Sequence, residues 1–407
     1  MKTKVNTIIA LICGAALASS CFGQRQYTVT ALPSPTSDNN AVGWISEDGS
    51  TTFGVLMTPN PTSNPGLPFI NQCYSMSNNG GLKLYPTPGF SCYVSGVNKN
   101  LQFGGTLLTA SSFLPITAYV NLDGNFDPYG THLPGLDYTM DPSCAPCAVP
   151  TSQTMGINDN GDVVGWVNGF DHIVPVPGAG SNRVDYGFLY SKRQVQVLPQ
   201  QMVRAASINN SGDVAGDINL PDGTPNPPFH AAIYRGGNII DLGTLGGPTS
   251  RALKINNKGQ MVGASTLRPF DITDLTTLIG NSFFYDGQKM NFIQVPGATY
   301  GTYASALNDN GEIGGYYYPD NNTACTQTTC HFTYRAFYYA NGVGVDLNTL
   351  LVNPPDGLVL RDVFYISNTG LILAGARNDD QSYSPTYLLT PVAPASTASS
   401  TSAAIAR

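Results

Sequence analysis

One segment of the sequence has the oxygen-rich side chains of a cation site. Residues 158–162, Asn-Asp-Asn-Gly-Asp, resemble the start of a calcium-binding loop, in which closely spaced carboxylate and amide oxygens are the ligands. Other copies of the segment carry Lys258 and Gln260, or Thr369 and Leu371, in the ligand positions, and the terminal Glu of the calcium pattern is missing. We therefore interpret the segment as a hairpin turn, and we expect no metal ion and no other cofactor.

The sequence offers little for hydrolysis by a nucleophile or a metal. The histidines that could serve are His132, His172, His230 and His331. None of them has a Gly-x-Ser-x-Gly or HExxH context, so we assign no catalytic residue and expect a non-enzymatic protein. Carboxylates from different repeats could still meet near a common axis, and a glycan-active hydrolase or lyase is therefore the alternative.

Aromatic side chains beside polar groups are the best candidates for ligand contacts. They occur where strands lead into long connections, and the candidate ligand-binding residues are Trp166, Asp171, His172, Tyr316, Tyr317 and Tyr318. Rings beside polar groups suit the stacking of sugar rings. The alternative is that the same rings pack between neighbouring repeats or along strand surfaces.

A repeat shows how these residues would be positioned. The unit apolar-Asn-x-x-Gly-x-apolar-apolar-Gly has four clear and three weaker copies, which begin at Ile157, Ile208, Ile255, Leu307, Val97, Ile366 and Ile45. Asn and Gly tolerate the positive φ of tight turns, so each copy predicts a hairpin of two strands, A and B. Two further strand-like segments, C and D, follow most copies, and four such strands make a propeller blade.

The repeat count predicts the fold class: all-β, a single seven-bladed β-propeller of four-stranded blades over residues 24–391. Only one strand, from Pro385, follows the last hairpin, and an unpaired strand begins at Gln26. We therefore expect the N-terminal strand to close the last blade, which removes free strand edges. The fourth strand of the second blade is assigned to a weak segment, 128–136.

Connection lengths predict two different faces. The A–B and C–D turns are short, whereas the B–C and D–A connections are long. Because strands alternate in direction, the short turns are expected on one face and the long loops on the other. Functional residues usually lie on loops held by a rigid scaffold, so we expect binding on the long-loop face.

Residues 208–214, Ile-Asn-Asn-Ser-Gly-Asp-Val, and residues 241–247, Asp-Leu-Gly-Thr-Leu-Gly-Gly, carry a family resemblance. In these segments the chain resembles the HAF-type extracellular repeat family of bacteria. The resemblance implies export and a β-repeat fold, and it implies no activity.

The N-terminus predicts export. Lys2 and Lys4 precede an apolar run, 5–17, that is too short to span a bilayer, which is typical of a signal peptide over residues 1–23. We expect no transmembrane segment and a secreted, extracellular or cell-surface protein.

Residues 18–21, Ala-Ser-Ser-Cys, also resemble a bacterial lipobox. Lipidation at Cys21, which would give a periplasmic or outer-membrane lipoprotein, is therefore the alternative to simple cleavage near Gly23 or Gln24. At the other end, residues 392–407 are rich in Ala, Ser and Thr, and we expect them to be disordered.

Six cysteines follow the leader, in or near predicted long connections: Cys73, Cys92, Cys144, Cys147, Cys325 and Cys330. An even number in an exported chain predicts disulfides. The sequence leaves the pairing open, and nearest neighbours are the simplest choice. Cys144 and Cys147 form a Cys-x-x-Cys motif without the βαβ context of a redox site.

The charge of the chain argues against one class of partner. The net charge is −7 and no basic stripe is present, so nucleic acid is not an expected partner. Three hypotheses follow. The first is a binding or scaffold module for glycan or protein that acts through the long-loop face, the second is a glycan-active enzyme, and the third is a purely structural cell-surface protein.

Overall fold

The structure, a computed structural model, is all-β. It describes residues 25–33, 42–59, 69–85, 90–109, 116–121, 151–170, 183–199, 201–220, 228–268, 280–319, 333–376 and 385–392. Within these ranges the chain forms antiparallel β-strands and a short 3₁₀ helix, Leu347–Leu350. In the same ranges, no helix is long and apolar enough to cross a membrane.

The first three sheets along the chain come from the N-terminal half of the described residues. Sheet 1 contains β2 (Val42–Ile45), β3 (Thr51–Pro59), β4 (Phe69–Ser77) and β5 (Leu82–Tyr85). Sheet 2 contains β6 (Phe90–Val97), β7 (Phe103–Thr109) and β8 (Ile116–Asn121). Sheet 3 contains β9 (Thr151–Ile157), β10 (Val163–Phe170), β11 (Arg183–Ser191) and β12 (Gln194–Val197).

Three further sheets follow in the same order. Sheet 4 contains β13 (Met202–Ile208), β14 (Val214–Asn219), β15 (Phe229–Arg235) and β16 (Asn238–Asp241). Sheet 5 contains β17 (Ser250–Ile255), β18 (Met261–Ser265), β19 (Asn281–Tyr285) and β20 (Met290–Phe292). Sheet 6 contains β21 (Ala298–Leu307), β22 (Ile313–Pro319), β23 (Arg335–Ala340) and β24 (Val343–Asp346).

Sheet 7 joins the two ends of the chain. It contains β25 (Asp362–Ile366), β26 (Ile372–Gly375), β27 (Thr386–Pro391) and, as its outermost strand, β1 (Tyr27–Ala31). Strand β1 pairs antiparallel with β27, as expected for the N-terminal strand. The ring of Tyr27 is fully buried against Tyr338 of sheet 6, and Arg25 forms a 2.8 Å ion pair with Glu312 of that sheet.

The sheets surround a common axis like the blades of a propeller. The first strand of each sheet contacts the first strand of the next sheet along the chain, and β25 contacts β2. In each sheet the strands then follow the chain outward from this inner strand. Apolar clusters lie between successive sheets, for example Val164, Leu198 and Met202 between sheets 3 and 4.

The glycine at the last position of the repeat is required for a steric reason. Inner strands carry a β-bulge just before their turn, for example between Ala252 and Lys254 of β17. Strand B crosses this bulge closely, and a Cβ at Gly263 would overlap the carbonyl oxygen of Arg251. Gly165, Gly216 and Gly315 meet strand A backbone in the same way. Glycine is therefore required here by close backbone approach.

The predicted disulfide is confirmed for one pair. Cys73 and Cys92 are bonded across sheets 1 and 2, with their Cα atoms 5.4 Å apart, and both are fully buried beside Phe53 and Phe103. We expected the cysteines in or near long connections; both of these lie within strands, β4 and β6, and their bond links two neighbouring sheets.

Several sequence predictions lie outside the described residues. They are the signal peptide with Cys21, the weak strand at 128–136, residues 393–407 of the tail, and Cys144, Cys147, Cys325 and Cys330.

Replacing Gly263 with Ala is expected to destabilise the protein by about 1–3 kcal/mol, because the added methyl group overpacks the bulge. Chemical denaturation measures the free energy of unfolding. Gly43→Ala is the control, since a Cβ at Gly43 in β2 meets nothing within 4 Å. Equal stability of the two variants would contradict the steric explanation.

Candidate functional site

The A–B turns gather around the axis at one end of the propeller, which we call the turn face. In the repeat, the first turn residue is Asn, and its side chain caps its own turn. The Oδ1 atom of Asn158 accepts hydrogen bonds from the backbone N–H groups of Asn160 and Asp162, at 3.0 and 2.9 Å. Asn98, Asn209, Asn256 and Asn308 do the same in their turns.

The same asparagines also connect neighbouring turns. Asn158 Nδ2 donates to the carbonyl of Asn209 at 3.0 Å, and Asn209 Nδ2 donates to the carbonyl of Asn256 at 3.1 Å. At the second turn residue the backbone donates and the side chain of the next turn accepts: Asn257 N–H donates to Asp309 Oδ1 at 2.8 Å. Hydrogen bonds of these two kinds continue to sheet 7, so the repeat motif staples blade to blade.

The calcium-like segment is part of this network. Asp162 accepts a 2.9 Å hydrogen bond from Asn158 Nδ2, and Asp159 accepts one from the backbone of Lys99. Over the described residues, His, Cys, Asp and Glu form no group of three that could hold a metal ion. The oxygens of the segment are hydrogen-bond acceptors for the turns.

A cavity of about 270 Å³ opens on the axis at the turn face, inside the ring of turns. Lys254 of β17 and Trp44 of β2 project into it from different sheets, with the Lys254 Nζ atom 4.9 Å from the centre of the Trp44 ring. Tyr365 lies beside Trp44, with 6.0 Å between ring centres, and its hydroxyl donates to Glu47 at 2.8 Å. Sequence reasoning did not assign a function to these residues.

The signal for this cavity is the position just before the apolar residue that opens each repeat. Lys254, Trp44 and Tyr365 occupy it in three copies. In the other copies the position holds small residues, namely Gly96, Gly156, Ser207 and Ala306. A large side chain at this position, where most copies have a small one, therefore predicts a residue that lines the cavity.

The other end of the channel lies towards the long-loop face. Sheets 4 to 7 place Arg204, Arg251, Tyr303 and Asp362 at one repeat position, four residues before the apolar residue that opens the repeat. Asp217, on β14, is only 1% exposed and accepts hydrogen bonds or ion pairs from Arg204 and Arg251, both at 3.1 Å. The Arg251 guanidinium also lies over the ring of Phe229, at 4.6 Å.

Four tyrosines of sheet 6 cluster beside these charges. Tyr303 stacks on Tyr316 with 5.2 Å between ring centres and 18° between planes. Tyr334 and Tyr318 pack against Tyr316 at 5.2 and 5.6 Å, and burial is the main cause of the raised pKa of the Tyr316 hydroxyl. We call Tyr303, Tyr316, Tyr318 and Tyr334 the tyrosine cluster.

Tyr317 does not belong to the cluster. Side chains alternate along a strand, so Tyr317 of β22 points to the opposite side from Tyr316 and Tyr318. It is buried, and its hydroxyl donates to Asp346 at 3.0 Å. The structure therefore brings together two of the three tyrosines that the sequence proposed and places the third in a packing contact.

Asp362 of β25 is a carboxyl group at this end of the channel with an unsatisfied oxygen. Its Oδ1 atom is buried and has no hydrogen-bond partner. Burial raises the pKa of this carboxyl to about 7, against the opposing effect of hydrogen bonds from the Val363 backbone and the Ser305 side chain. Asp362 also influences the pKa values of Tyr303, Tyr316 and Tyr318 through its charge, which places all three within electrostatic reach.

The remaining sequence candidates lie elsewhere. Trp166 of β10 is half-buried in sheet 3 and donates from Nε1 to Gln153 at 3.1 Å, at the sheet position that Tyr316 has in sheet 6. His230 contacts Asp241 at 2.9 Å between two strands of sheet 4. Asp171 and His172 lie outside the described residues.

No protein-family model matches this sequence, and no curated protein matches it. Among solved structures, an acylaminoacyl peptidase from Pyrococcus horikoshii is similar over 86% of this chain, with 9% identity and a TM-score of 0.51. The match covers 51% of the peptidase chain, so this protein spans about half its length. Likeness at such low identity bears on the fold alone.

Two further structures are similar at lower TM-scores. The β-propeller domain of the Trilobed protease from Pyrococcus furiosus covers 76% of this chain and 84% of its own, with 11% identity and a TM-score of 0.40. TolB from Acinetobacter baumannii covers 85% of this chain and 65% of its own, with 10% identity and a TM-score of 0.36. The ring of sheets around one axis decides the fold. It is a β-propeller.

Asn209→Ala is expected to destabilise this propeller by about 1–3 kcal/mol, because it leaves two turn N–H groups and the Asn256 carbonyl without their partner. Ser211→Ala, at an exposed position of the same turn, is the control. Thermal and chemical unfolding measure both. If Asn209→Ala lost no stability, or if both variants lost the same amount, the role of Asn209 in linking neighbouring turns would be contradicted.

Asp362→Asn is expected to gain stability relative to the unmodified protein as pH rises. The folded state keeps the Asp362 proton up to about pH 7, whereas the unfolded chain releases it near its ordinary pKa of 3.8. The folded state thus binds more protons between these values, so the free energy of unfolding of the unmodified protein falls as pH rises through them. Asn cannot ionise and avoids this loss.

The measurement is the difference in unfolding free energy between Asp362→Asn and the unmodified protein at pH 4 and pH 8. It should be more positive at pH 8. Asp356→Asn, at an exposed position, is the matched control and should show no such change. A pH-independent difference for Asp362→Asn would mean that this carboxyl is not desolvated.

Proposed function

We propose that this propeller is a binding module that takes a glycan at the long-loop end of its channel. The observation that carries the proposal is the tyrosine cluster beside Asp362, whose Oδ1 atom is buried without a hydrogen-bond partner. The site combines the faces of aromatic rings with a carboxyl oxygen that has no hydrogen-bond partner.

The chemistry of a sugar fits both the aromatic rings and the charged groups of this site. The C–H faces of a pyranose pack against aromatic rings, and tyrosine adds a hydroxyl at the polar rim. Sugar hydroxyls donate well to a carboxylate, so a bound glycan would supply hydrogen-bond donors to the Asp362 carboxyl group. The Arg251 side chain is 47% exposed while Asp217 fixes the position of its guanidinium, which can donate to a further sugar oxygen.

Binding is favoured over catalysis by the state of the carboxylates. Glycoside hydrolysis generally needs two carboxyl groups on either side of the scissile bond. Asp217 is ion-paired with two arginines and almost fully buried, which leaves Asp362 as the acid available at this end among the described residues. The glycan-active enzyme therefore stays the alternative, and it is tested in the same experiment.

The proposal includes a ring of seven blades in an exported protein. Sheet 2 has three described strands, and its inner strand contacts those of sheets 1 and 3, which supports its place as a blade with a fourth strand in 128–136. The Cys73–Cys92 disulfide supports an oxidising compartment, such as the periplasm or the cell exterior. Membership of the HAF-type repeat family would agree with both features.

The test is a glycan array probed with the purified chain, with retained protein and released product read together. Tyr318→Ala and Asp362→Asn are expected to weaken retention on the glycans found by at least about tenfold, which corresponds to ~1.4 kcal/mol. Tyr285→Ala is the control, because Tyr285 lies on β19, the third strand of sheet 5, and its hydroxyl donates to the local Gly287 carbonyl. It should bind as the unmodified chain does.

Two outcomes would overturn the proposal. One is an array that retains no protein at any glycan. The other is retention that Tyr318→Ala and Tyr285→Ala reduce equally, which would place the ligand elsewhere. Release of a cleaved product would replace the binding module with the glycan-active enzyme.

A further inference from the structure

The cavity at the turn face is separate from the tyrosine cluster. It lies at the opposite end of the channel, inside the ring of A–B turns, and none of the clustered tyrosines lines it. Its volume of about 270 Å³ falls just below the usual range for small-molecule pockets. A ligand here would be a small molecule and not a polymer.

Lys254 is a charged group in this cavity that has no polar partner among the described residues. In the part of the chain that the structure describes, its Nζ atom makes no ion pair and no hydrogen bond, although an ammonium has three N–H donors. Its one defined contact is with the face of the Trp44 ring. A cation–π contact offsets only part of the cost of removing an ammonium from water.

The carboxylates around the cavity are already used. Glu47 accepts from the Tyr365 hydroxyl and the Asn368 backbone. Asp159 accepts from the Lys99 backbone and Asn210 Nδ2, and Asp309 accepts from the backbone and side chain of Asn257. These acids hold neighbouring turns together, so Lys254 is left without a counter-ion.

We infer that the turn-face cavity binds a small organic carboxylate whose anionic group pairs with Lys254 and whose carbon skeleton packs on Trp44. One ammonium matches a single negative charge. A phosphate or another dianion fits less well, because Glu47, Asp159 and Asp309 at the rim repel anions and the repulsion of a dianion is about twice that of a monoanion. Trp44 and Tyr365 supply the apolar surface that a carbon skeleton needs.

The charge of Lys254 should make this site sensitive to pH. The ionisable and aromatic groups that face it are Trp44, Glu47, Lys99, Asp159, Arg204, Asp309 and Tyr365. Burial, and secondarily the positive charge of Arg204, lowers the pKa of the Lys254 ammonium to about 8. Carboxylate binding should therefore be complete at pH 6.5 and be lost as pH rises through about 8.

Trp44 provides a direct probe of the cavity. The chain has two tryptophans, so Trp166→Phe leaves Trp44 as the only source of indole fluorescence. Sodium acetate, lactate and glucuronate are titrated into this variant at constant ionic strength, with sodium chloride and glucose as controls. At least one carboxylate should change the Trp44 emission saturably, and the two controls should not.

Variants of Lys254 then test the assignment. In the Trp166→Phe background, Lys254→Met should abolish the saturable change, and Lys254→Arg should retain it and extend it to higher pH. Circular dichroism checks that each variant is folded; if Lys254→Met is not, the Arg variant and the pH series decide. Tyr318→Ala should leave this titration unchanged, since that residue belongs to the other site.

Three results would refute the carboxylate site. They are the absence of a saturable response to any of the three acids, an equal response in Lys254→Met, and a response that persists unchanged above pH 9.5. None of these results depends on whether a glycan binds at the long-loop end, so failure here and failure of the proposed function can be distinguished.

Discussion

The structure depends on the hydrogen bonds by which one A–B turn holds the next. A propeller blade cannot bury both of its faces alone, so stability requires that neighbouring blades keep a fixed distance and angle. The asparagine side chain that closes its own turn through Oδ1 also reaches the adjacent turn through Nδ2, as Asn209 does with Asn256. One amide group thus connects local folding to assembly of the ring.

This double use explains both what the sequence predicted and what it did not. The Asn-x-x-Gly spacing indicates a hairpin because φ and capping preferences are local. The inter-blade half of the role depends on which turns become neighbours, and only ring closure decides that. The same holds for Gly263, whose requirement comes from a bulge in the facing strand and not from its own turn.

For the candidate site, some of the residue types could be predicted from the sequence, but little of the geometry could. The alternation of side chains along a strand separates Tyr317 from Tyr316 and Tyr318, and this could have been inferred from the sequence. The partners Tyr303 and Tyr334 come from different strands, β21 and the approach to β23, so their stacking could not be read from spacing. Lys254 could have been found by aligning the repeats, because it departs from the small residues that its position holds in most copies.

The two unpaired charges of the channel show why both ends can serve as sites. Asp362 is negative above about pH 7 and Lys254 is positive below about pH 8, and a direct ion pair would satisfy both. They occupy repeat positions that differ by three residues, which corresponds to roughly 10 Å along a strand. At that separation the two groups cannot form a direct ion pair, which needs an N···O distance of about 4 Å or less. Asp217 avoids this isolation because Arg204 and Arg251 share its level. The same chain neutralises one buried acid, Asp217, with two arginines, so the fold is able to pair a charge at this depth. The two proposed ligands would satisfy these remaining groups in opposite ways, a donor-rich sugar at Asp362 and an anion at Lys254.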